Sequence, residues 1–281
     1  MPRPQTIQIF LPDGSARSIK IAEITSKIVK AIQIPRNKIK TAEQREETSN
    51  AGVYFLFGES EETAKSKVYI GEAENCIKRI KQHLKREFWN VAILIISKTE
   101  SLTKSHVKFL ENHCVNQAKD IGRYEVENAS NPTKSHITEQ MEADIMDLFD
   151  DMKILLSTLG FPIFESLRRD IDKKGELICK GRDAIAYGEY TDDGLVVFKG
   201  SIANKEESAT AGSWIIGMRE KLLNSNILAK KGNVLEFISD HIFNSPSAAA
   251  GAVLARRANG WLEWKNNDGK TLDELERKEE S

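Results

Sequence analysis

The sequence predicts an α+β protein of about two domains. Its 281 residues are roughly twice the length of an average domain. Short runs of apolar residues, typical of strands, stand between stretches whose apolar residues recur at helical spacing. Charged residues make up 30% of the chain and hydrophobic residues 40%, which excludes a disordered chain and a membrane protein. We therefore expect a small three-stranded sheet flanked by helices and a C-terminal α+β accessory domain.

Residues 1–48 predict an N-terminal extension. Two alternating apolar runs surround a Pro-Asp-Gly turn within residues 6–24, which is the pattern of a β-hairpin. A short helix is expected from about Glu23 to Ala31. Residues 36–50 are polar and unpatterned, so they are expected to form a connector.

Residues 49–135 predict a compact domain with three strands and two helices. The strands are apolar and short, and each helix carries a single apolar stripe. In chain order these elements are strand Gly52–Phe57, strand Lys67–Ile70, helix Asn75–Phe88, strand Val91–Ile96 and helix Thr103–Asp120.

Two patterns in this domain place polar side chains near each other. Strand alternation puts Tyr54 on the face opposite Val53, and pairing of the first two strands would bring Tyr54 beside Tyr69. On the first helix, Ile77, Ile80, Leu84 and Phe88 form the apolar stripe, which leaves Arg79, His83 and Arg86 on the solvent side. Arg79 and His83 are four residues apart and can address the same phosphate.

Residues 136–281 contain a helix and a second domain. A helix with an acidic first half is expected from Ile137 to Leu159, within an acidic linker at 136–162. The C-terminal domain, at 163–281, mixes strands and helices. The predicted elements there are strands at Gly175–Lys180 and Leu195–Lys199 and helices near Ser208–Leu223 and Ser245–Arg257.

The charge of the chain is divided unevenly. Residues 1–135 hold 22 basic and 16 acidic side chains, whereas residues 136–281 hold 19 and 26. The densest basic cluster, at 78–86, has five Lys or Arg side chains and a histidine and no acid. A solvated helix face explains such a cluster equally well, but contact with a polyanion is more plausible in this half of the chain.

The order of several short motifs resembles the GIY-YIG nuclease family. Gly52-Val53-Tyr54 and Tyr69-Ile70-Gly71 are followed by Arg79, by His83 one turn later and by Glu111 on the next helix. The resemblance covers about residues 51–132, with valine replacing the isoleucine of the first motif. It implies a small three-stranded mixed sheet flanked by helices and a metal-dependent DNA endonuclease. Residues from about 165 to 278 are similar to an uncharacterised domain found at the C-terminus of some members of this family.

The resemblance also implies roles for individual residues. Glu111 would hold Mg²⁺ or Mn²⁺ at the scissile phosphate, and Arg79 would stabilise the negative charge that develops there. Tyr54, helped by Tyr69 and His83, would orient or deprotonate the attacking water. An asparagine near the active site is assigned to Asn128, with Asn131 as the rival. Four basic residues of the first helix are the expected DNA contacts: Lys78, Lys81, Lys85 and Arg86.

Each of these residues also has a simpler explanation. The tyrosines can be packing residues, His83 an exposed helix histidine and Glu111 one half of a structural salt bridge. Trp261 and Trp264 follow Arg256-Arg257 and are candidates for stacking on a base, although tryptophans in a core are commoner. At the level of function, the alternatives are a non-catalytic adaptor that binds DNA structure and a protein-interaction module that uses the acidic helix at 139–151.

The remaining expectations concern partners and location. The longest run of large apolar residues, Val91–Ile96, is far below the roughly 18 needed for a membrane span, and the N-terminus has no apolar signal-peptide core. The three cysteines are widely separated and favour buried thiols over disulfides or zinc. We expect a cytoplasmic protein with DNA as its partner and no nucleotide cofactor, since no phosphate-binding loop is present. A homodimer is one alternative for the assembly, because double-strand cleavage by one compact site needs a second protomer or a second turnover.

Overall fold

The computed structural model describes residues 4–59, 66–166 and 176–277. Within these residues the chain forms two compact units. The first comprises residues 4–59 and 66–165, and the second residues 166 and 176–277. Each unit combines helices with one β-sheet, so the protein is α+β.

The sheet of the first unit has seven strands among the described residues, in the order β1-β2-β3-β6-β4-β5-β7. All neighbours are antiparallel except β5 and β7, which are parallel and make the sheet mixed. The strands are β1 (Ile7–Phe10), β2 (Lys20–Ile24), β3 (Val29–Pro35), β4 (Gly52–Glu59), β5 (Ser66–Ala73), β6 (Trp89–Ser97) and β7 (Glu125–Val126). The helices are α1 (Ile39–Ala42), α2 (Cys76–Gln82), α3 (Lys104–Ile121) and α4 (Glu139–Thr158).

The N-terminal extension is part of this sheet. The predicted hairpin is confirmed by the antiparallel pairing of β1 with β2, but the helix predicted from Glu23 to Ala31 is wrong. The chain forms a second hairpin there, and β3 pairs with β6 from Val29 to Pro35. The physical reason is that β6 is buried and its backbone groups need partners on the side away from β4. The predicted three-stranded sheet is therefore only the β6-β4-β5 part of a larger one.

The two faces of β4 contact different cores. Val53, Phe55 and Phe57 pack with α3 and α4, whereas Tyr54 and Leu56 pack with α2. Strand alternation predicted this division, and the structure confirms it.

Helix α4 packs in the core of the first unit. Its buried side chains lie against strands β2 and β3 and helix α3. Six apolar side chains of α4 are buried: Ile145, Leu148, Phe149, Met152, Leu155 and Leu156. The helix was predicted as an acidic linker, but its apolar stripe is long enough to cover one face of the sheet, so it is an element of the first unit.

The second unit contains an eight-stranded sheet among the described residues. Six strands follow the order β12-β13-β11-β9-β10-β14, while β8 pairs with β9 and β15 with β8. Its strands are β8 (Leu177–Lys180), β9 (Ile185–Thr191), β10 (Gly194–Val197), β11 (Ile202–Asn204), β12 (Leu228–Lys231), β13 (Val234–Phe237), β14 (His241–Phe243) and β15 (Trp264–Lys265). Its helices are α5 (Ser213–Asn224), α6 (Pro246–Leu254), α7 (Gly260–Glu263) and α8 (Leu272–Glu276).

The elements predicted for the C-terminal region have counterparts in this unit. The predicted strands correspond to β8 and β10 and the predicted helices to α5 and α6. Gly175, where the first strand was predicted to begin, lies outside the described residues. The three cysteines are free and buried, as predicted. No helix in the described part of the chain has the length and apolar character that a bilayer span requires.

Candidate active site

The candidate site lies along strand β5, where β7 stops covering it. β7 pairs with β5 only at Lys67 and Val68, so among the described strands none follows the next residues of β5 on that side. Helix α2 packs on one face of the sheet and α3 on the other. Side chains from both faces can therefore meet at this uncovered edge.

Tyr54 and Tyr69 lie side by side on the α2 face. In the antiparallel pair of β4 and β5, Tyr54 is opposite Gly71 and Tyr69 is opposite Leu56. The two ring centroids are 6.2 Å apart, as expected for a diagonal pair on one face. Tyr54 is fully buried and Tyr69 partly exposed, so only Tyr69 presents its ring to solvent.

Gly71 leaves the space that the Tyr54 ring occupies. A β-carbon at Gly71 would lie 2.5 Å from Cζ and 3.0 Å from Cε1 of Tyr54. Both distances are shorter than an ordinary van der Waals contact. Glycine at this position of the strand therefore allows the phenol to cross β5 and reach the site.

His83 is buried against the tyrosines. Its Nε2 lies 2.9 Å from Tyr54 Oη, and its ring centroid is 4.9 Å from that of Tyr69. The prediction that His83 is outside the core and Leu84 inside it is wrong, since His83 is 7% exposed and Leu84 39%. Helix α2 ends at Gln82 and continues as a 3₁₀ turn at His83–Lys85. Cys76, Ile80 and His83 are buried at spacings of four and three residues, so the buried face of α2 and of the turn after it runs through these residues and not through Leu84.

Burial keeps both partners of the Tyr54–His83 hydrogen bond uncharged. It raises the pKa of Tyr54, an effect that Tyr69 adds to and that the hydrogen bond and charge of Arg79 oppose. Burial also lowers the pKa of His83 to about 4, helped by the charges of Arg86 and Arg79. The imidazole is therefore neutral near pH 7. In the tautomer with its proton on Nδ1, Nε2 accepts the hydrogen bond that the Tyr54 hydroxyl donates.

Arg79 is exposed at the mouth of the site. It interacts with Tyr54 through a hydrogen bond, which raises the pKa of the guanidinium further. Its Nη1 also donates to Gln82 Oε1 over 2.7 Å. The guanidinium is thus held beside the two phenols while it stays open to solvent.

Glu111 reaches the same region from helix α3. The carboxylate is partly buried and accepts a hydrogen bond from the backbone N–H of Glu72. Burial, followed by the charge of Glu72, raises the pKa of Glu111 to about 7, whereas Arg79 and Lys108 act in the opposite direction. Among the residues that the structure describes, Glu111 has no ion pair with a lysine or arginine. The alternative of a structural salt bridge at Glu111 has no support in this geometry.

Glu72 is a charged residue of the site that was not predicted from the sequence. This residue follows Gly71 directly, and strand alternation turns its side chain to the face of β5 that carries α3. Its charge acts on Glu111, Arg79 and Lys104. Alternation along Tyr69-Ile70-Gly71-Glu72 was the signal that could have placed it near Glu111.

Asn128 holds the uncovered edge of β5. Its Oδ1 accepts from the backbone N–H of Ile70 over 3.1 Å, and its Nδ2 donates to the carbonyl of Ile70 over 2.7 Å. Both side-chain groups are used on backbone, which makes Asn128 a positioning residue for the strand that carries Tyr69. The rival Asn131 accepts instead from Lys119 Nζ over 2.5 Å.

The four basic residues predicted to bind DNA have different surroundings. Lys81 forms an ion pair with Glu43 over 2.5 Å, so its charge is already partly neutralised. Lys78 and Lys85 are exposed on the surface. Arg86 lies over the ring of Tyr69, with Cζ 4.7 Å from the ring centroid.

A cavity of about 380 Å³ opens beside these groups. Its wall includes one phenol, one carboxylate and two cationic side chains, and the loop at 128–133 closes one side. The lining residues are Tyr69, Arg86, Lys108, Glu111, Asn128, Ala129, Ser130, Pro132 and Thr133.

The donor set at Glu111 fits a hard divalent cation whose other ligands come from substrate and water. In the described parts of the chain, no group of three or more His, Cys, Asp or Glu side chains is arranged to hold a metal, so an all-protein cage such as structural zinc requires is not offered there. Mg²⁺ commonly takes one or two carboxylates together with phosphate oxygens and waters. The partly buried Glu111 carboxylate, with no basic partner within the described residues, fits the role of such a ligand.

Comparison with known proteins identifies the C-terminal region only. Residues 177–276 match the model of a domain of unknown function, DUF4357. The match spans elements β8 to α8 and confirms that the C-terminal region is an uncharacterised domain of this type. It does not extend to residues 49–135, where the resemblance rests on the residues themselves. Neither the curated proteins nor the solved structures include a match to the chain.

The tryptophans of the DUF4357 domain are used in packing. Trp264 is fully buried and its Nε1 donates to the carbonyl of Pro246 over 3.2 Å. Trp261 is covered by Arg277, whose Cζ lies 3.4 Å from the ring centroid, and meets the edge of Tyr190. Trp264 is therefore a core residue, and Arg277 covers a face of the partly exposed Trp261 ring.

Proposed function

We propose that the first unit is a metal-dependent DNA endonuclease that hydrolyses phosphodiester bonds with a GIY-YIG-type active site. The observation that supports this most strongly is the meeting of five polar side chains, from two strands, two helices and a turn, at one uncovered strand edge. These side chains are Tyr54, Tyr69, Arg79, His83 and Glu111. Packing of a core does not explain this cluster. A buried polar side chain costs free energy unless it is hydrogen-bonded, so a core that serves only stability does not gather polar side chains at one place.

Arg79 binds the phosphoryl group in this proposal. Its guanidinium is exposed yet anchored next to Tyr54, and it can donate two parallel hydrogen bonds to phosphate oxygens. The permanent positive charge stabilises the additional negative charge of the pentavalent transition state. Positioning and electrostatics of this kind supply most of the catalysis in phosphoryl transfer.

The two tyrosines and His83 position the water and receive its proton. Tyr69 faces the cavity and orients the water, and the Tyr54 hydroxyl takes a proton from it while donating its own to His83 Nε2. The low pKa of His83 arises partly from Arg86 and Arg79. A bound phosphate neutralises these charges and so raises the basicity of His83 at the moment when a base is needed.

Glu111 is the metal ligand of the proposal. When bound there, Mg²⁺ or Mn²⁺ would supply charge stabilisation at the leaving oxygen. The protein itself holds the Glu111 carboxylate in place through the backbone N–H of Glu72 and through the packing of α3 on β5.

A nuclease assay with matched variants tests the function. Plasmid, branched and single-stranded DNA are incubated with wild type, Glu111→Gln and Arg79→Gln in Mg²⁺, Mn²⁺ or EDTA. We expect cutting by wild type with either metal, none in EDTA, and at least about 100-fold slower cutting by both variants. The charge-matched controls are Asp120→Asn on α3 and Lys40→Gln on α1, which alter exposed residues outside the site and should cut like wild type.

The outcome also separates the endonuclease from an adaptor. Equal cutting by wild type and both variants would trace the activity to a contaminant and refute the assignment. If wild type does not cut and Glu111→Gln binds DNA as tightly as wild type, with the same dependence on salt, the protein is a DNA-binding adaptor.

A further inference from the structure

Two basic side chains face the cavity beside Glu111 without an acidic partner. Arg86 follows the 3₁₀ turn after α2, and Lys108 lies on α3 one turn before Glu111. Within the described residues neither of them forms an ion pair. Their charges do act on the site, because Arg86 lowers the pKa of His83 and Lys108 lowers that of Glu111.

The position of Arg86 is held from two directions. Its guanidinium lies over the ring of Tyr69 at 4.7 Å, a cation–π contact that orients the side chain toward the cavity. Its backbone carbonyl accepts from Arg36 Nη1 over 2.6 Å. Arg36 also donates to the carbonyls of Leu84 and Trp89, so it fixes the whole turn that carries Arg86.

The opposite wall of the cavity is fixed as well. Asn112 Nδ2 donates to the carbonyl of Pro132 over 2.6 Å, and Asn128 is tied to β5. The loop at 128–133 is therefore attached to α3 and to the sheet. A wall held by several side chains makes the cavity a preformed space instead of a chance gap between loops.

We propose that Arg86 and Lys108 form an anion subsite in this cavity, which holds a phosphate of the substrate strand next to the phosphate that is cut. The proposal rests on the proposed endonuclease function. Successive phosphates follow one another along a strand, so a phosphate bound beside Glu111 and Tyr69 fixes the strand relative to the catalytic groups. The two cations reach the cavity from elements on different faces of the sheet, Arg86 from the turn after α2 and Lys108 from α3, and two such donors can hold one phosphate.

This subsite would make cleavage depend on a second phosphate of the substrate. A phosphodiester would be cut efficiently only if an adjoining charged phosphate can occupy the cavity, and the terminal bond of a strand that lacks this phosphate would be cut slowly. The three lysines of the 78–86 cluster would contribute only general attraction, because Lys81 is paired with Glu43 and both Lys78 and Lys85 are exposed to solvent.

The first experiment uses neutral phosphates in an oligonucleotide whose cut position has been mapped. Each phosphate flanking the cut is replaced in turn by a methylphosphonate, and kcat/KM is measured for wild type, Arg86→Gln, Lys108→Gln and the control Lys40→Gln on α1. We expect one flanking replacement to slow wild type and the control about 10-fold or more, while both subsite variants, already slower, do not respond to it. Equal sensitivity of all four proteins at every position would overturn the subsite.

The second experiment does not depend on cleavage. Thymidine 3′,5′-bisphosphate, which carries two phosphates on one sugar, is titrated calorimetrically into the same four proteins in the presence of Ca²⁺. Affinity at least 10-fold weaker for Arg86→Gln and Lys108→Gln than for wild type and Lys40→Gln supports the subsite, even if no DNA is cut. Absence of binding to wild type, or equal affinity of all four proteins, overturns the subsite, even if DNA is cut by the unchanged catalytic groups.

Discussion

Replacing Gly71 by alanine should displace the Tyr54 ring and disable the site. The added β-carbon would lie 2.5 Å from Cζ of Tyr54, whereas ordinary contacts begin near 3.4 Å. The ring must therefore withdraw by about 1 Å, which lengthens its 2.9 Å hydrogen bond to His83 beyond a normal length. Overpacking of a closed core typically costs about 1–3 kcal/mol of the free energy of unfolding. A displacement of about 1 Å at a reacting group typically costs about 100-fold in rate.

Urea unfolding and the nuclease assay measure the two effects separately. The control is Gly217→Ala on helix α5, where a β-carbon meets nothing within 4 Å. This substitution should leave cutting unchanged and alter stability by no more than about 1 kcal/mol, in the stabilising direction.

A double-mutant cycle shows whether the ring is the cause. In a Tyr54→Leu background the obstructing phenol is absent, so Gly71→Ala should cost about 0.5 kcal/mol or less there. The reasoning is refuted if Gly71→Ala costs the same with and without the tyrosine, or if the single variant is as stable as wild type.

Three further predictions concern stability. The pKa of His83 is about 4 in the folded protein and about 6.5 in the unfolded protein. The neutral, buried imidazole therefore contributes fully to the free energy of unfolding above pH 6.5, and this contribution is lost as the pH falls toward 4. Wild type should therefore lose up to about 2 kcal/mol more than His83→Gln over this range in urea unfolding, and parallel pH profiles would contradict it. Asn128→Ala should cost about 1–3 kcal/mol of the free energy of unfolding and speed hydrogen exchange of the Ile70 amide, because Asn128 Oδ1 is the acceptor for this amide. In the second unit, Arg219 is 1% exposed and donates to three backbone carbonyls and to Glu207, so Arg219→Met should cost about 3 kcal/mol, whereas Lys221→Ala on the exposed side of the same helix should be nearly neutral.

Local patterns in the sequence were enough to predict the central elements. Alternation along β4 separated Tyr54 from Val53 and Phe55, and the same rule placed Tyr54 with Tyr69 once the two strands were paired. The apolar stripe of α3 set Glu111 at the border of the core, where the structure has it partly buried. These features depend on residues close in sequence, so the periods of strand and helix determine them.

Tertiary structure alone decided the rest. The N-terminal residues were predicted as a helix near Glu23, but the need of β6 for a second partner makes them a strand. His83 is a buried partner of Tyr54 because the face of α2 that packs on the sheet runs through Cys76 and Ile80 to His83. Arg36 fixes a turn some fifty residues further along the chain. Such contacts join residues far apart in sequence, and no local period encodes them, since they form only when the whole sheet has brought its edges and helices together.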